Sequence, residues 1–504
     1  MTLREIAGLL DRPRIHGDPS ATVTAIADDS ASVQAGTLFI AVKGLRRDGY
    51  EFVGEAFRRG AVGAVIEEAR WVAEQPAGPC VIGVPDSRAA LRRIATAFYG
   101  EPTSRLKMVG ITGTNGKTTT SYLIQAILAA AGMPAGVIGT VGYRIGERQL
   151  AASHTTPGLL AVQRLLAGMA REGLQAAVME VSSHALAQGR VEGCAFDVAV
   201  FTNLTQDHLD FHGTMDNYFA AKRTLFTGLA DGRYGKPGAW AVVNHDDPWG
   251  RRLVEINPTR TLSYGLESGA DVTAADVMVT WSGVRAMIQG ARGTFPIDSP
   301  LVGRYNVPNL LAAVGTGLAL GCDPTVIQAG IRQMEQVPGR FEKVEEQGQP
   351  FRVIVDYAHT DDALRRLLSA VRELQRGRVI VVFGCGGDRD RGKRPKMGRV
   401  AAELADVAVL TSDNPRSEEP QDILHQIESG VKEVGPAERR LRDYRIVEDR
   451  KAAIGWAIAA ARPDDAVVIA GKGHEDYQII GTTRHPFDDR LVAREALQQR
   501  MSVA

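Results

Sequence analysis

The chain has 504 residues, enough for about three domains at roughly 100–200 residues each. Hydrophobic residues make up 44% and charged residues 23%, which excludes a mainly disordered chain. Fifty-nine Lys and Arg balance 59 Asp and Glu, which excludes a general electrostatic attraction to nucleic acid or to an anionic membrane. No apolar run approaches the length of about 18 residues that a membrane span needs; the longest, 309–321, suits a core helix. Arg4 and Glu5 stand where the apolar run of an export signal would begin. Cys80, Cys194, Cys322 and Cys385 share no metal-ligand spacing. A reduced, cytoplasmic, monomeric protein with no membrane or nucleic-acid partner is expected.

In chain order, strand-like runs at 37–42, 63–66 and 81–84 come first, and Glu101-Pro102-Thr103-Ser104 reads as a linker. Apolar β-branched runs then end in polar or Gly-rich turns at 107–112, 176–181, 197–201 and 239–243. The same pattern returns at 353–355, 379–383, 407–410 and 466–470, with helical stretches at 363–374, 421–434 and 450–461 between them. Runs that are apolar throughout predict strands buried on both faces, hence parallel sheets covered by helices. The fold expectation is α/β in three domains: a smaller α/β domain over 1–104, a central parallel-sheet domain of phosphate-loop type over 105–337, and a Rossmann-like domain over 338–504. Val337-Pro338-Gly339 marks the second boundary.

Val109-Gly-Ile-Thr-Gly-Thr-Asn-Gly-Lys-Thr-Thr-Thr120 carries the clearest chemistry. A strand runs into glycines, then into Gly116-Lys117-Thr118 and an apolar-periodic helix. Backbone N–H groups and a helix N-terminus cradle phosphate, Lys117 supplies an exposed positive charge, and Thr118 offers a hydroxyl to Mg²⁺.

Gly-Thr-Asn-Gly-Lys-Thr-Thr resembles the ATP loop of the Mur ligases, the ATP-dependent amide-forming enzymes of peptidoglycan synthesis. Thr155-Thr156-Pro157, Met179–His184, Phe201–Asp210, Ala220-Ala-Lys222, Asn306–Asn309, Gly339–Glu342 and Asp356–His359 extend the resemblance in order. So do Gly386–Asp390, Asp413-Asn-Pro-Arg416 and Gly471–Glu475, a set similar to the member that adds the third amino acid, a diamino acid, to UDP-N-acetylmuramoyl-L-alanyl-D-glutamate (UDP-MurNAc-L-Ala-D-Glu). Two departures stand out: Asp29-Ser30-Ala31 lacks the family's arginine, and Asp361 replaces a proline.

The resemblance implies the following roles. ATP is held by Gly113, Thr114, Asn115, Gly116, Lys117, Thr118, Thr119, Asn309, Arg340 and Asp356. Arg340 reaches the nucleotide across a domain boundary when the C-terminal domain swings in. Mg²⁺ is held by Thr118, Glu180, His208 and Lys222, the lysine being carbamylated by CO₂; that needs an unprotonated amine and hence a partly buried side chain. Lys117, Lys222, His208 and Glu180 are the catalytic set. The nucleotide-sugar dipeptide falls to Ser30, Leu45, Arg46, Arg47, Thr155, Thr156, Ser182, Gln188 and Arg190. The diamino acid, meso-2,6-diaminopimelate, falls to Arg389, Asp413, Asn414, Pro415, Arg416, Gly471 and Glu475.

Arg416 is the expected selector, because a planar guanidinium matches the distal carboxylate that lysine lacks. A plainer reading of that turn makes Ser417 a helix N-cap and leaves Arg416 solvated. The alternatives for function are the L-lysine-adding ligase, a folyl-polyglutamate synthetase, and a nucleotide-triggered switch protein that does not ligate.

Overall fold

The computed structural model describes residues 1–44, 47–70, 79–256 and 260–502. Among these, the strands form three main sheets in chain order. The first has five strands. Cys80–Val84, Gly63–Glu67, Thr37–Ile40 and Ala25–Ala27 lie parallel, and Arg14–His16 pairs antiparallel at one edge.

The second sheet is centred on Lys107–Thr112, flanked in parallel by Phe196–Phe201 and Ala176–Glu180, with Gly235–Asn244, Arg260–Tyr264 and Ala135–Ile138 outside them. These runs need no polar face because helices cover both sides. Val178, Val198 and Val200 pack with Leu123, Ile127, Leu310 and Val314 from helices Lys117–Ala130 and Val307–Ala319. Met179, Phe196 and Phe201 pack on the other side with Leu166 and Phe226 from helices Leu159–Arg171 and Met215–Ala230.

The third sheet repeats the scheme, with Arg352–Asp356, Ala466–Ala470, Val379–Phe383, Val407–Leu410 and Asp443–Ile446 parallel and Glu342–Lys343 antiparallel at its edge. No helix among the described residues is long and apolar enough to cross a membrane, and all four cysteines are buried and free.

Two local expectations need correction. The segment 101–104, read as a linker because proline disfavours helix, is helical in part: Glu101 turns left-handed at φ 49° and Pro102–Arg105 forms a short helix with Pro102 and Thr103 buried. Proline is tolerated in a first helical turn, where its missing N–H has no partner to lose. The sequence reading also places no strand over 272–299. There, Val272–Thr280, Gly283–Gly290 and Gly293–Ser299 form antiparallel hairpins that extend the central sheet. Their burial is partial, so the apolar signal that marks the inner strands is missing.

One ion pair ties the C-terminal helices together. Arg450 opens helix Arg450–Ala460, and its guanidinium donates twice, at 2.7 Å each, to Asp489 at the head of helix Asp489–Met501; both side chains are fully buried. Arg450→Met leaves a buried carboxylate without its partner, and a loss of about 3–5 kcal/mol is expected in denaturant unfolding. A loss below about 1 kcal/mol, the range of exposed pairs, would show that Asp489 is solvated instead.

Candidate active site

The carboxyl ends of the parallel strands open into one cleft of about 470 Å³, the place where such sheets present ligand groups. Residues of the middle and C-terminal sheets line it together: the loop 114–119, Thr140, Glu180, Asn203, Asp207, His208 and Asn309 from one, and Arg340, Asp356, Tyr357 and His359 from the other.

Strand Lys107–Thr112 delivers the chain into the loop, and helix Lys117–Ala130 leaves it. Two glycines are required there. A Cβ on Gly113, at φ 150°, would stand 1.8 Å from Thr202 Oγ1, and one on Gly116, at φ 87°, would stand 2.2 Å from Asn309 Oδ1. Lys117 is not the exposed cation expected. It is half-buried, and its ammonium donates to the carbonyls of Gly113 and Thr114 at 2.8 Å each. Burial lowers its pKa, opposed by the Glu180 carboxylate. Side-chain charge and loop shape are therefore one device.

Glu180 ends strand Ala176–Glu180 fully buried. Its carboxylate accepts from Thr118 Oγ1 at 3.1 Å, from Thr140 N–H at 2.9 Å and from Thr140 Oγ1 at 3.0 Å. Thr140 was missed by the sequence reading, although Gly139-Thr140 directly follows strand Ala135–Ile138 and carries the same strand-end signal.

Lys222, on helix Met215–Ala230, is buried completely rather than in part, at 1% exposure. Its ammonium donates to Gly113 O at 2.8 Å and lies 4.5 Å from the centre of the Tyr218 ring. Burial, reinforced by the positive Lys117 nearby, drives its pKa well below that of an ordinary lysine. His208 is exposed, at φ 54°, with Asp207 3.5 Å away and His184 packed edge-on at 4.8 Å between ring centres.

Arg340 crosses from the C-terminal unit, its Nη2 3.4 Å from Thr118 Oγ1 and its guanidinium 4.6 Å above the Tyr357 ring. Asp356 is buried and accepts from the N–H groups of Phe341 at 2.7 Å and Ala358 at 2.8 Å. Burial raises its pKa and Arg340 opposes the rise. Asp362, beside the departing Asp361, accepts from Asn115 Nδ2 at 3.2 Å. Asn309 donates to Asn306 at 3.0 Å, and Thr119 is buried in the helix's first turn.

A second cluster adjoins Glu180. Thr156 Oγ1 donates to the Glu180 carbonyl at 2.8 Å and accepts from Ser182 N–H at 3.0 Å. Arg190 grips Gln188 Oε1 through two nitrogens and Thr156 O through a third. Thr155 shares a hydrogen bond with Thr140 at 3.0 Å. Thr156 is fully buried, so it holds Glu180 and Ser182 in place and offers no free hydroxyl to a ligand. In the N-terminal sheet unit, Ser30 is spent on Glu55 at 3.2 Å and Arg47 is exposed over the Phe52 ring. Leu45 and Arg46 lie outside the described residues.

The third cluster lies at the ends of strands Val407–Leu410 and Ala466–Ala470. Asp413, Asn414 and Pro415 are buried, and Gly471 adopts φ 116°. Lys472, unassigned from sequence, is fully buried among Asp413 at 3.2 Å, Asn414 at 3.1 Å and Glu475 at 3.2 Å. The Glu475 carboxylate also accepts from Asn414 Nδ2 at 3.0 Å, so it is already compensated, not a free acceptor.

Arg416 takes the left-handed φ 53°, unusual outside glycine. A hairpin of Tyr477–Ile480 and Thr483–Pro486 holds its backbone, through Arg416 N to Ile479 O and Gly481 N to Arg416 O, and its Nη1 donates to Gly387 O at 2.6 Å. Ser417 is not a cap: the helix begins at Pro420, and the Ser417 hydroxyl donates to Asp388. Arg389 is exposed and donates to Asp388 O.

This geometry has relatives throughout the chain. The Mur ligase family catalytic domain matches residues 22–99, the Mur ligase middle domain residues 111–317, and the Mur ligase glutamate ligase domain residues 339–473. Proteins named UDP-N-acetylmuramoyl-L-alanyl-D-glutamate–2,6-diaminopimelate ligase are 50% identical in Gloeobacter violaceus, over 96% of this chain and 96% of that protein, and 44% identical in Geobacter metallireducens, over 100% and 99%. A solved structure of a ligase with that name is 33% identical, with TM-score 0.69 over 99% of both chains. A MurF ligase from Thermotoga maritima, solved with ADP, shares the fold at 19% identity and TM-score 0.62, over 95% of this chain and 96% of that one. With three domain matches in chain order and full-length relatives at this identity, the chain belongs to the Mur ligase family of acid–amino-acid ligases.

Proposed function

We propose that this chain uses ATP and Mg²⁺ to join meso-2,6-diaminopimelate to the γ-carboxyl of D-glutamate in UDP-MurNAc-L-Ala-D-Glu, a cytoplasmic step of peptidoglycan synthesis. The observation that carries this reading is the cleft in which the Gly113–Thr118 loop, Glu180 and Arg340 meet from two domains.

Amide formation from a carboxylate is uphill in water; phosphorylation by ATP turns the carboxylate into an acyl phosphate that an amine attacks, releasing phosphate. Catalysis is then mainly positioning and charge stabilisation. The loop amides and Lys117 hold the phosphates, and Arg340 adds charge from the opposite wall. The N-terminal domain, 1–104, takes the nucleotide sugar with Ser30, Leu45, Arg46 and Arg47. Domain 105–337 takes ATP, with Thr155, Ser182, Gln188 and Arg190 along the dipeptide, and 338–504 takes the amino acid.

The oxygen donors Thr118 and Glu180, 3.1 Å apart beside the loop, suit a hard cation such as Mg²⁺. Among the described residues, no group of three or more His, Cys, Asp and Glu side chains is placed to hold a metal. Phosphate oxygens and Lys222 as a carbamate would complete the ligand set, with His208 at the rim. Thr118 and Glu180 would hold Mg²⁺ where it would supply charge neutralisation to a transferring phosphoryl group. Carbamate formation needs the unprotonated amine to attack CO₂ and release a proton, and burial lowers the Lys222 pKa toward that form.

Arg416 fixes amino-acid choice, held by Gly387 and by the hairpin behind it, with Asp413, Asn414, Pro415, Gly471, Glu475 and Arg389 around it. Removing one partner of a desolvated charge pair costs about 2–5 kcal/mol. Arg416→Ala should therefore lower kcat/KM for meso-diaminopimelate roughly 30- to several-thousand-fold, with KM for ATP little changed. L-lysine, which leaves the guanidinium unpaired, should be a poor substrate of the native enzyme. Equal use of the two amino acids at equal concentration would overturn the assignment.

A further inference from the structure

Away from the cleft, the C-terminal domain closes around Trp281 of the middle domain, next to the packing of Val302 and Tyr305 on its core and the Arg304–Glu373 ion pair at 3.5 Å. Strands Val272–Thr280 and Gly283–Gly290 turn at Trp281 and Ser282. The half-buried Trp281 indole donates through Nε1 to the carbonyl of Leu374 at 3.0 Å, the last residue of helix Asp361–Leu374. Trp281's own carbonyl accepts from Lys343 Nζ at 2.6 Å. The Arg352 guanidinium stands 4.5 Å from the centre of its ring, and the Phe341 ring lies 6.1 Å away, centre to centre. A helix end, two strands and the segment leading into them thus close around one tryptophan.

That segment is the one that carries Arg340. Gly339 has φ 66° and packs so closely on Gly473 and His474 that a Cβ would stand 2.1 Å from His474 N; Phe341 has φ 43°, and its N–H is fixed on Asp356 at 2.7 Å. A backbone this constrained transmits the position of its ends, so where Lys343 and Phe341 sit decides where Arg340 points. Beyond the Tyr357 ring of its own domain, Arg340 has little grip on the middle domain: 3.4 Å to Thr118 Oγ1, and a buried Nε with no partner. At the cleft, Asp362 accepts from Asn115 at 3.2 Å, a further link.

We infer that Trp281 is a positioning residue, the socket that seats the C-terminal domain on the middle one so that Arg340 and Asp362 meet the phosphate loop. The inference rests on Arg340 acting at the nucleotide. Misplacing a reacting group by about 1 Å costs on the order of a hundredfold in rate.

The test uses the full-length protein. Trp281→Ala should lower kcat on the order of a hundredfold, with KM for the nucleotide-sugar substrate unchanged. Trp281→Phe, which keeps a ring but loses the donor, should fall between. A second readout does not need turnover: spin labels on Arg223→Cys and Lys396→Cys, both exposed positions, report the distance between the domains in the presence of a non-hydrolysable ATP analogue. The distance distribution should be narrow in native protein, broad in Trp281→Ala and intermediate in Trp281→Phe. Native kcat in Trp281→Ala, or a lowered kcat with an unchanged narrow distribution, overturns the inference. If the native enzyme does not ligate at all, the proposed function fails, and the distances still decide whether Trp281 seats the domain.

Discussion

Lys222→Ala is expected to ligate at less than about a hundredth of the native rate, the scale set by losing a preorganised charge at a transition state. The side chain is buried and bonded to Gly113 O, and burial together with the nearby Lys117 lowers its pKa well below that of an ordinary lysine. In the proposed function, carbamylation of this amine by CO₂ would add an anion to the oxygen donors Thr118 and Glu180. High bicarbonate should not restore the alanine variant, whereas short carboxylic acids that fit the vacated space should restore part of the activity. Mapping of the native protein should find the carbamate on Lys222. An unmodified lysine together with full activity in Lys222→Ala would refute this role.

The second large effect belongs to Lys117. Lys117→Ala should lower kcat by about 10²–10³, since a cation aimed at transferring phosphate acts mostly in the transition state. The same change removes the two bonds that draw Gly113 O and Thr114 O together. ATP affinity should therefore fall as well, while circular dichroism stays native because the loop lies on a cleft wall outside the core. Lys117→Arg restores charge but not the compact ammonium that both carbonyls share, and it should recover little. Near-native turnover in Lys117→Ala would remove the loop from the mechanism.

The inner strands were legible because each is apolar on both faces, as a parallel sheet covered by helices requires: Lys107–Thr112, Val379–Phe383, Val407–Leu410 and Ala466–Ala470 begin and end where their composition changes. The hairpins over 272–299 were not, because partial burial dilutes the period that would mark them. In the cleft, the loop announced itself through glycines and a lysine at a strand end. Thr140 carried the same signal more weakly, as Gly-Thr after a short strand.

Lys472 was hidden for a different reason. A lysine reads as solvated, and only the fold brings Asp413, Asn414 and Glu475 around its ammonium. Thr156 shows the converse: a hydroxyl that reads as a ligand donor is consumed inside the protein by the carbonyl of Glu180. Sequence order locates strand ends well, but which polar groups there remain free depends on partners far along the chain.

The central claim, that ATP cleavage in this cleft is coupled to amide formation, is tested most directly by following ADP release while ATP, the UDP-MurNAc dipeptide and meso-diaminopimelate are each omitted in turn. Sustained ADP release is predicted only with all three present, matched one for one by the nucleotide tripeptide. Equal ADP release without the dipeptide or without the amino acid would mark a nucleotide hydrolase or switch and contradict the ligase.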